Sequence, residues 1–360
     1  MMSVIDRYIL KEFLRTFCLI IISLAALYLI VDFFERIRMF VSNKATFSQI
    51  AAYFIFSIPT IVTQMIPISV LLSSLVTFGI LSKNSELTAL KANGISLYRS
   101  SLSIIAASVG IAFFSFLVSE LATPHSNQKV KHIKLIEIQK RQQLGTFTQN
   151  EIWYRGKKAI YNIAVFDPVR GILRGIRISY LDHDMNLVKR IDAKEAYWKN
   201  GKWIFHNLLI TTFPEDGFPL INKITSSVID IPEKPADFLI VQKDTDEMGF
   251  GELKEYIAKL QAEGYDATRY LTDLHGKIAF PLVSVFLAVL GLCFSCRSER
   301  SGGIAQSIGI GVIIGLSYWI VFAFSISLGR SGALSPFFSA WAANIIFGLL
   351  SIGMLMRIRT

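Results

Sequence analysis

Six stretches of this chain are long and apolar enough to cross a lipid bilayer, and no other feature constrains its fold as tightly. They run from Phe13 to Phe34, Ile50 to Leu81, Leu102 to Ala122, Ile278 to Cys296, Ile304 to Leu328 and Phe337 to Met356. A helix rises about 1.5 Å per residue, so about 20 apolar residues cross the roughly 30 Å hydrocarbon layer. Inside lipid the backbone finds no water, and each stretch must satisfy its own polar groups as a helix. The second stretch carries Pro59 and Pro67 with Thr60, Thr63 and Gln64 between them. This predicts a kinked, tilted or partly unwound helix whose polar groups face protein or a cavity.

Composition agrees with a membrane protein: 52% of the 360 residues are hydrophobic and 18% charged, too few charges to cover a soluble surface of this size. The net charge of +10 comes from basic residues that are dispersed and flank the apolar runs, which argues for membrane orientation and against nucleic-acid binding. Arg7, Lys11, Arg15, Lys83, Lys91, Arg99, Arg297, Arg300, Arg357 and Arg359 fall on one side of the six crossings, and Arg36, Arg38, Lys44 and Arg330 on the other. Ten basic residues against four put the first set, and both termini, in the cytoplasm. The first span has no small-residue cleavage site behind it and is expected to be a retained anchor.

Charge counting also makes a cytoplasmic loop of Ser82 to Ser96, a polar-started, glycine-stopped segment between two spans. It predicts a helix of about nine residues over 85–93, capped by Ser85 or Asn84, with Glu86 in its first turn and Gly94 closing it in a left-handed conformation. Too short to cross a membrane, it has an apolar side in Leu87 and Leu90. Between spans three and four, residues 123–268 change character. A charged helical start gives way to strand signals, and Asn200-Gly201 between aromatic residues marks a hairpin. By parity of crossings this block lies outside the membrane, and its strand spacing suggests a sandwich or jelly roll. A helix from about Phe250 to Glu263 leads back to the membrane. The expected organisation is therefore spans one to three over 1–122, an outer β domain over 123–268, and spans four to six over 269–360.

The chain has no phosphate-binding glycine loop of the Walker type, no His-Glu-x-x-His and no Gly-x-Ser-x-Gly. Cys293 and Cys296 have redox spacing, but they end a span without a second ligand pair, whereas a structural zinc takes four ligands. No catalytic residue, metal or bound cofactor is expected. At the outer end of the first span Asp32, Glu35, Arg36 and Arg38 cluster where hydrocarbon meets headgroups. Arginine and carboxylate pairs anchor helices there routinely; equally, a guanidinium binds lipid phosphate in a forked geometry. Glu86 has two readings as well: it complements its own helix dipole, or it presents a charge to a soluble partner.

Ile5-Asp6-Arg7-Tyr8-Ile9, Ser85-Glu86-Leu87-Thr88-Ala89-Leu90-Lys91-Ala92-Asn93-Gly94-Ile95, Gly264-Tyr265-Asp266-Ala267-Thr268-Arg269-Tyr270 and Lys277-Ile278-Ala279-Phe280-Pro281-Leu282 resemble the lipopolysaccharide-export permeases, the LptF/LptG family. The resemblance covers the whole chain, and the Asp-Arg-Tyr opening is more similar to the G-type subunit. It implies a subunit of an ATP-binding-cassette transporter in a bacterial inner membrane, with a periplasmic β-jelly-roll domain. Its implied partners are a second, LptF-like permease, a homodimeric cytoplasmic LptB-like ATPase that holds ATP and magnesium, a single-span LptC-like protein and an LptA-like bridge that receives lipopolysaccharide.

In this resemblance Ser85 to Gly94 matches the family's coupling helix, and Glu86, with Leu87, Leu90 and Gly94, would engage the ATPase. Arg36 and Arg38, with Phe33, Phe34 and Ile37, would contact lipid. Tyr318, Trp319 and Phe322 of the fifth span would line the cavity or lateral gate. Family members often carry lysines where this chain has Asp32 and Glu35 among its arginines. Two rival readings are a mechanotransmission subunit that carries no lipid and a membrane enzyme acting on a headgroup. The enzyme would need acidic or histidine clusters inside the spans, which this chain lacks.

Overall fold

The structure, a computed structural model, describes residues 4–139, 152–155, 159–167, 172–182, 186–199, 202–214, 218–229, 231, 244–262, 266–297 and 304–357. Two compact units divide it: Met1–Ile133 with Thr245–Thr360, and Lys134–Asp244.

The first unit contains the six long apolar helices, α1 (Val4–Ser42), α2 (Phe47–Lys83), α4 (Leu97–Leu121), α7 (Thr268–Arg297), α8 (Ile304–Arg330) and α9 (Pro336–Met356), each long enough to cross a membrane. The chain is a multi-pass membrane protein. A short helix, α3 (Glu86–Ala92), links α2 to α4, and two polar helices, α5 (Thr123–His132) and α6 (Phe250–Ala262), follow α4 and precede α7. Both ends of α1 overshoot the apolar run, giving a helix of 39 residues. Flanking residues such as Asp6 and Arg36 continue it because they find partners without leaving helical geometry. Thr46 and Gln49 start α2 with a reciprocal capping box. Of the expected alternatives, a kinked, tilted or partly unwound helix, unwinding does not occur: α2 stays helical through Pro59 and Pro67. Thr63 Oγ1 lies 3.1 Å from the Pro59 carbonyl and 2.9 Å from that of Thr60, so a neighbouring hydroxyl serves acceptors around the first proline.

Helix α7 sits centrally, packing on α2, α4, α8 and α9. Gly291 permits its closest approach to α2, since a Cβ there would stand 2.6 Å from the Leu71 carbonyl oxygen. Apolar clusters result, two of them large. Ile9, Phe13, Phe78, Leu81, Leu87 and Ile104 gather α1, α2, α3 and α4. Leu71, Val283, Leu287, Tyr318 and Phe347 join α2, α7, α8 and α9. Several buried serines on these faces return their hydroxyls to their own helices, as Ser74 does to Val70 O at 2.8 Å and Ser108 to Ile105 O at 2.8 Å. Such small residues let helices approach without leaving polar groups to lipid.

The second unit carries one antiparallel sheet in consecutive order, β1 (Ile152–Arg155), β2 (Ala159–Asp167), β3 (Ile172–Leu181), β4 (Leu187–Lys199), β5 (Lys202–Thr212) and β6 (Leu220–Ile229). The inserted β domain is as expected, and its described strands form a meander without crossover connections. Strands β4 and β5 pair through Trp198 with Trp203 and Lys199 with Lys202, as the hairpin signal requires; Asn200 and Gly201 themselves lie outside the described residues. A crease crosses the sheet. Buried residues are spaced by three instead of two at Leu173 and Ile176, Ala193 and Ala196, and Phe205 and Leu208, which are partners across β3, β4 and β5. On that line Gly175 and Asn207 adopt positive φ of 59° and 53°. Bends of this kind let a strand change the face it buries, so one sheet can close around an interior.

This unit is narrower than the block over 123–268 expected from composition. Residues of α5, and the chain from Thr245 onward, belong to the helical unit. Their polarity resembles that of the strand region, but their side chains bond α5 to the turn over Thr245–Glu247 and to α2. Asn127 Nδ2 donates to Asp246 O at 2.9 Å, Gln128 Nε2 to Glu247 O at 2.9 Å, and Thr60 Oγ1 to Asn127 Oδ1 at 2.7 Å.

Candidate coupling and lipid-contact sites

Helix α3 is one face of a joint. Leu87 is 2% exposed and packs among Ile9, Phe13, Phe78 and Leu81, with Leu90 and Ile5 against the same cluster, while Thr88 and Ala89 point outward. Its end is closed as expected: Gly94 has φ of 75°, and Ile95 N reaches back to Leu90 O at 3.0 Å, the Schellman arrangement. Its start differs. Ser85 is itself left-handed, with φ of 59°, and its amide donates to Ser82 O at 2.9 Å. The link between α2 and α3 thus turns on a strained serine, and α3 covers seven residues instead of nine.

Two residues of the Asp-Arg-Tyr opening fasten this joint, a function invisible in the sequence. Asp6 accepts two hydrogen bonds from Arg99 on α4, at 3.0 and 2.7 Å, and one from Ser103 at 3.0 Å. Tyr8 directs its hydroxyl to Glu86, which also accepts from Asn84 Nδ2 at 3.2 Å. Motion of α3 is therefore linked to the N-terminal turn of α1 and to α4. A polar opening before a span signals the boundary, but only the packing shows where its side chains go.

At the far end of α1 the arginines separate. Arg36 Nε donates to the buried Asp32 at 2.7 Å, and its guanidinium lies 5.4 Å from the centre of the Tyr53 ring. Arg38 is exposed one residue beyond Ile37, with no ion pair among the described residues. The aromatic residues divide as well. Phe33 turns inward among Phe40 and Phe54 of α1 and α2, at 6.5 and 6.0 Å between ring centres. Phe34 and Ile37 face outward, 65% and 39% exposed. The three expected wall residues of α8 also part company. Tyr318 is buried and bonds to Asn344 Oδ1 at 3.1 Å, while Asn344 Nδ2 donates to Ala279 O at 2.6 Å, so this tyrosine ties α8 to α9 and α7. Phe322 stacks on it, and Trp319 is 53% exposed.

Near the same end as Asp273 and Arg330, a cleft of about 420 Å³ opens between α2, α4, α7 and α8, and residue-by-residue reading missed it. Gln64, Lys277, Trp319 and Phe322 are among its walls. Asp273 there accepts from Arg330 Nε at 2.7 Å and from Thr245 Oγ1 at 2.8 Å. Glu120 accepts the amides of Phe250 and Gly251 at the start of α6. Cys293 is buried, and the side chain of Cys296 lies outside the described residues.

The sequence was compared with known proteins. A family described as "Lipopolysaccharide export system permease LptF/LptG" matches over residues 7–357. The chain is similar to the lipopolysaccharide export system permease protein LptG of Escherichia coli (strain K12), 22% identical over 366 residues, 99% of this chain and 98% of that protein. It is similar also to LptG of Haemophilus influenzae, 23% identical over 324 residues, with 89% of each chain covered.

Proposed function

The chain belongs to the lipopolysaccharide export permease family LptF/LptG, and from that premise we propose that it is the G-type membrane subunit of an ATP-binding-cassette transporter, working in the inner membrane of its cell. It lifts lipopolysaccharide out of the bilayer and passes it to a periplasmic bridge of β-jelly-roll proteins. The observation that carries this reading is α3: a helix without a nucleotide site of its own, with one face fixed in the bundle by Leu87 and the other free for a soluble partner.

In this reading both termini and α3 are cytoplasmic, and a homodimeric ATPase, which holds ATP and magnesium, docks on α3. A second permease pairs with this one, and a single-span protein joins them. Work enters at Glu86 and passes through Tyr8 and the Asp6–Arg99 pair into α1 and α4. It ends at the outer half of α1, where Phe34, Ile37 and Arg38 meet the lipid. Each acyl methylene exposed to water costs about 0.8 kcal/mol, so extraction needs an apolar enclosure that collapses when ATP drives closure. Arg36, already engaged by Asp32, serves mainly to orient α1.

Two measurements test this. Glu86→Ala should insert normally but release less ATPase-driven lipid, or retain less ATPase on purification. Normal assembly with normal lipid release would remove the coupling role. A photo-crosslinker at Phe34 or Ile37 should capture lipopolysaccharide in cells, with little capture from the inward-facing Phe33 position. Capture of bulk phospholipid alone at the outward positions would favour the rival in which the chain transmits motion without carrying lipid.

A further inference from the structure

The cleft between α2, α4, α7 and α8 is lined by two cations, Lys277 and Arg330, and by Asp246 and Asp273, and one of the cations is left without a hydrogen bond among the described residues. Lys277 lines it and makes no hydrogen bond or ion pair among the described residues, although it is only partly exposed. Three carboxylates act on it through space, those of Asp246, Glu120 and Asp273. Two of them are already occupied: Asp273 by Arg330 and Thr245, and Glu120 by the amides of Phe250 and Gly251. Asp246 is exposed to solvent. An ammonium carries three donors and no acceptor, and leaving them unmatched away from water is costly. A second polar group in the same cleft is also orphaned. The Ser115 hydroxyl is buried, its residue 1% exposed, and has no hydrogen-bond partner among the described residues.

Around these two groups the walls are apolar on one side, with Phe280, Phe322 and the exposed Trp319. A water-filled cleft would satisfy the polar groups but leave the aromatic wall wet. A molecule with a compact anionic group and an apolar continuation meets both demands. Phosphate fits the polar part best, because it has several acceptor oxygens and forms charge-assisted hydrogen bonds with an ammonium.

We propose that this cleft is a binding site for the phosphate-bearing headgroup of a membrane lipid, with Lys277 as its anchoring cation, Ser115 as an additional donor and the Trp319 side as the entrance for the acyl part. The cleft includes no residue of α1, whose outer end the export reading places against lipid, but it shares Trp319 and Phe322 with the fifth-span wall expected from the sequence. The lipid is either the exported one, held aside from the α1 surface, or a resident phospholipid that fills the cleft.

The full-length chain, purified in a phosphate-free maltoside with a photo-crosslinker at Trp319, decides between these. It is offered lipopolysaccharide, phosphatidylglycerol, a phosphate-free glycolipid or inorganic phosphate. Capture of one of the two phosphate-bearing lipids, and not of the glycolipid, is expected, and whichever is captured names the source. Lys277→Gln should lower that capture about tenfold, the scale of one lost charge-assisted hydrogen bond, and Lys277→Arg should restore most of it. Ser115→Ala, a milder change to the fold, should lower it two- to threefold by the same bond-energy scale. Equal capture by wild type and Lys277→Gln, or equal capture of the glycolipid, overturns the site. Competition by inorganic phosphate as strong as by either lipid overturns its assignment to a lipid. Capture at Phe34 and Ile37 is read separately, so failure of the cleft leaves the export reading intact, and the reverse holds too.

Discussion

Removing Arg99 should cost this protein more than removing its partner Asp6. The Asp6 side chain is 7% exposed and that of Arg99 is 50% exposed. Without Arg99 a buried carboxylate loses its two-pronged ion pair while Ser103 stays bonded to it, whereas without Asp6 the guanidinium turns to water. Arg99→Ala is expected to lose about 2–3 kcal/mol, and Asp6→Ala about 1 kcal/mol once solvent screening is allowed for. Thermal unfolding in detergent checks the order, and a larger loss for Asp6→Ala would contradict it. Residues of this kind were legible as types but not in their contacts. Arg36 and Arg38 look alike in sequence, yet one faces the buried Asp32 and the other faces outward. Phe33 and Phe34 are neighbours, but a step of 100° around the helix puts only the first against α2. That rotational phase depends on the helix beside it, which a single run of apolar residues does not encode.

At the scale of the element, α3 is governed by its two ends. Gly94 takes a left-handed conformation with open space around it: an added Cβ would meet nothing within 4 Å. Any loss on Gly94→Ala is therefore backbone strain, about 1–2 kcal/mol. Because α3 is only seven residues long, that strain should fray its last turn and weaken whatever docks on it. Co-purification of the ATPase with Gly94→Ala should fall, and Gly94→Asn, which tolerates the same conformation, should recover part of it. Undiminished co-purification by the alanine variant would show that the end of α3 is not used. At Ser85 the sign reverses. A serine there already bears the left-handed strain, so Ser85→Gly should be neutral or slightly stabilising in a melting experiment. Glycine announced the stop of this helix because its freedom is intrinsic. The start was harder to read because polar residues beside a helix suggest side-chain capping, while here the turn is made by a left-handed Ser85 whose amide bonds to the Ser82 carbonyl.

For the whole molecule, the six spans were legible because apolar length is a property of each segment alone. The limits of the β-bearing unit were not, since α5 and α6 are as polar as the strands and reveal their allegiance only through contacts such as Asn127 with Thr60. Beyond the chain itself, α1 presents a problem that only another surface can solve: 6% of its apolar window is buried, against 67% for α2. Ile22, Ile30 and Phe34 are each more than half exposed, and so are Ile313, Ile320 and Phe324 on α8. Lipid can cover such faces; in the proposed reading, in which two permeases pair and close around cargo, this α1 would instead meet the fifth span of the other. A cysteine at Ile30 should therefore form a disulfide with one placed in the fifth span of the second permease when the assembled transporter is oxidised. The background must lack Cys18, which is exposed on the same helix, and Cys296. A cysteine at the buried Ile66 of α2 should stay reduced and serve as the control. ATP binding, by closing the cavity, should change the yield at Ile30 and not at Ile66. If the permeases co-purify but no position on the exposed face of α1 crosslinks in any nucleotide state, α1 faces lipid alone and the lateral gate lies elsewhere.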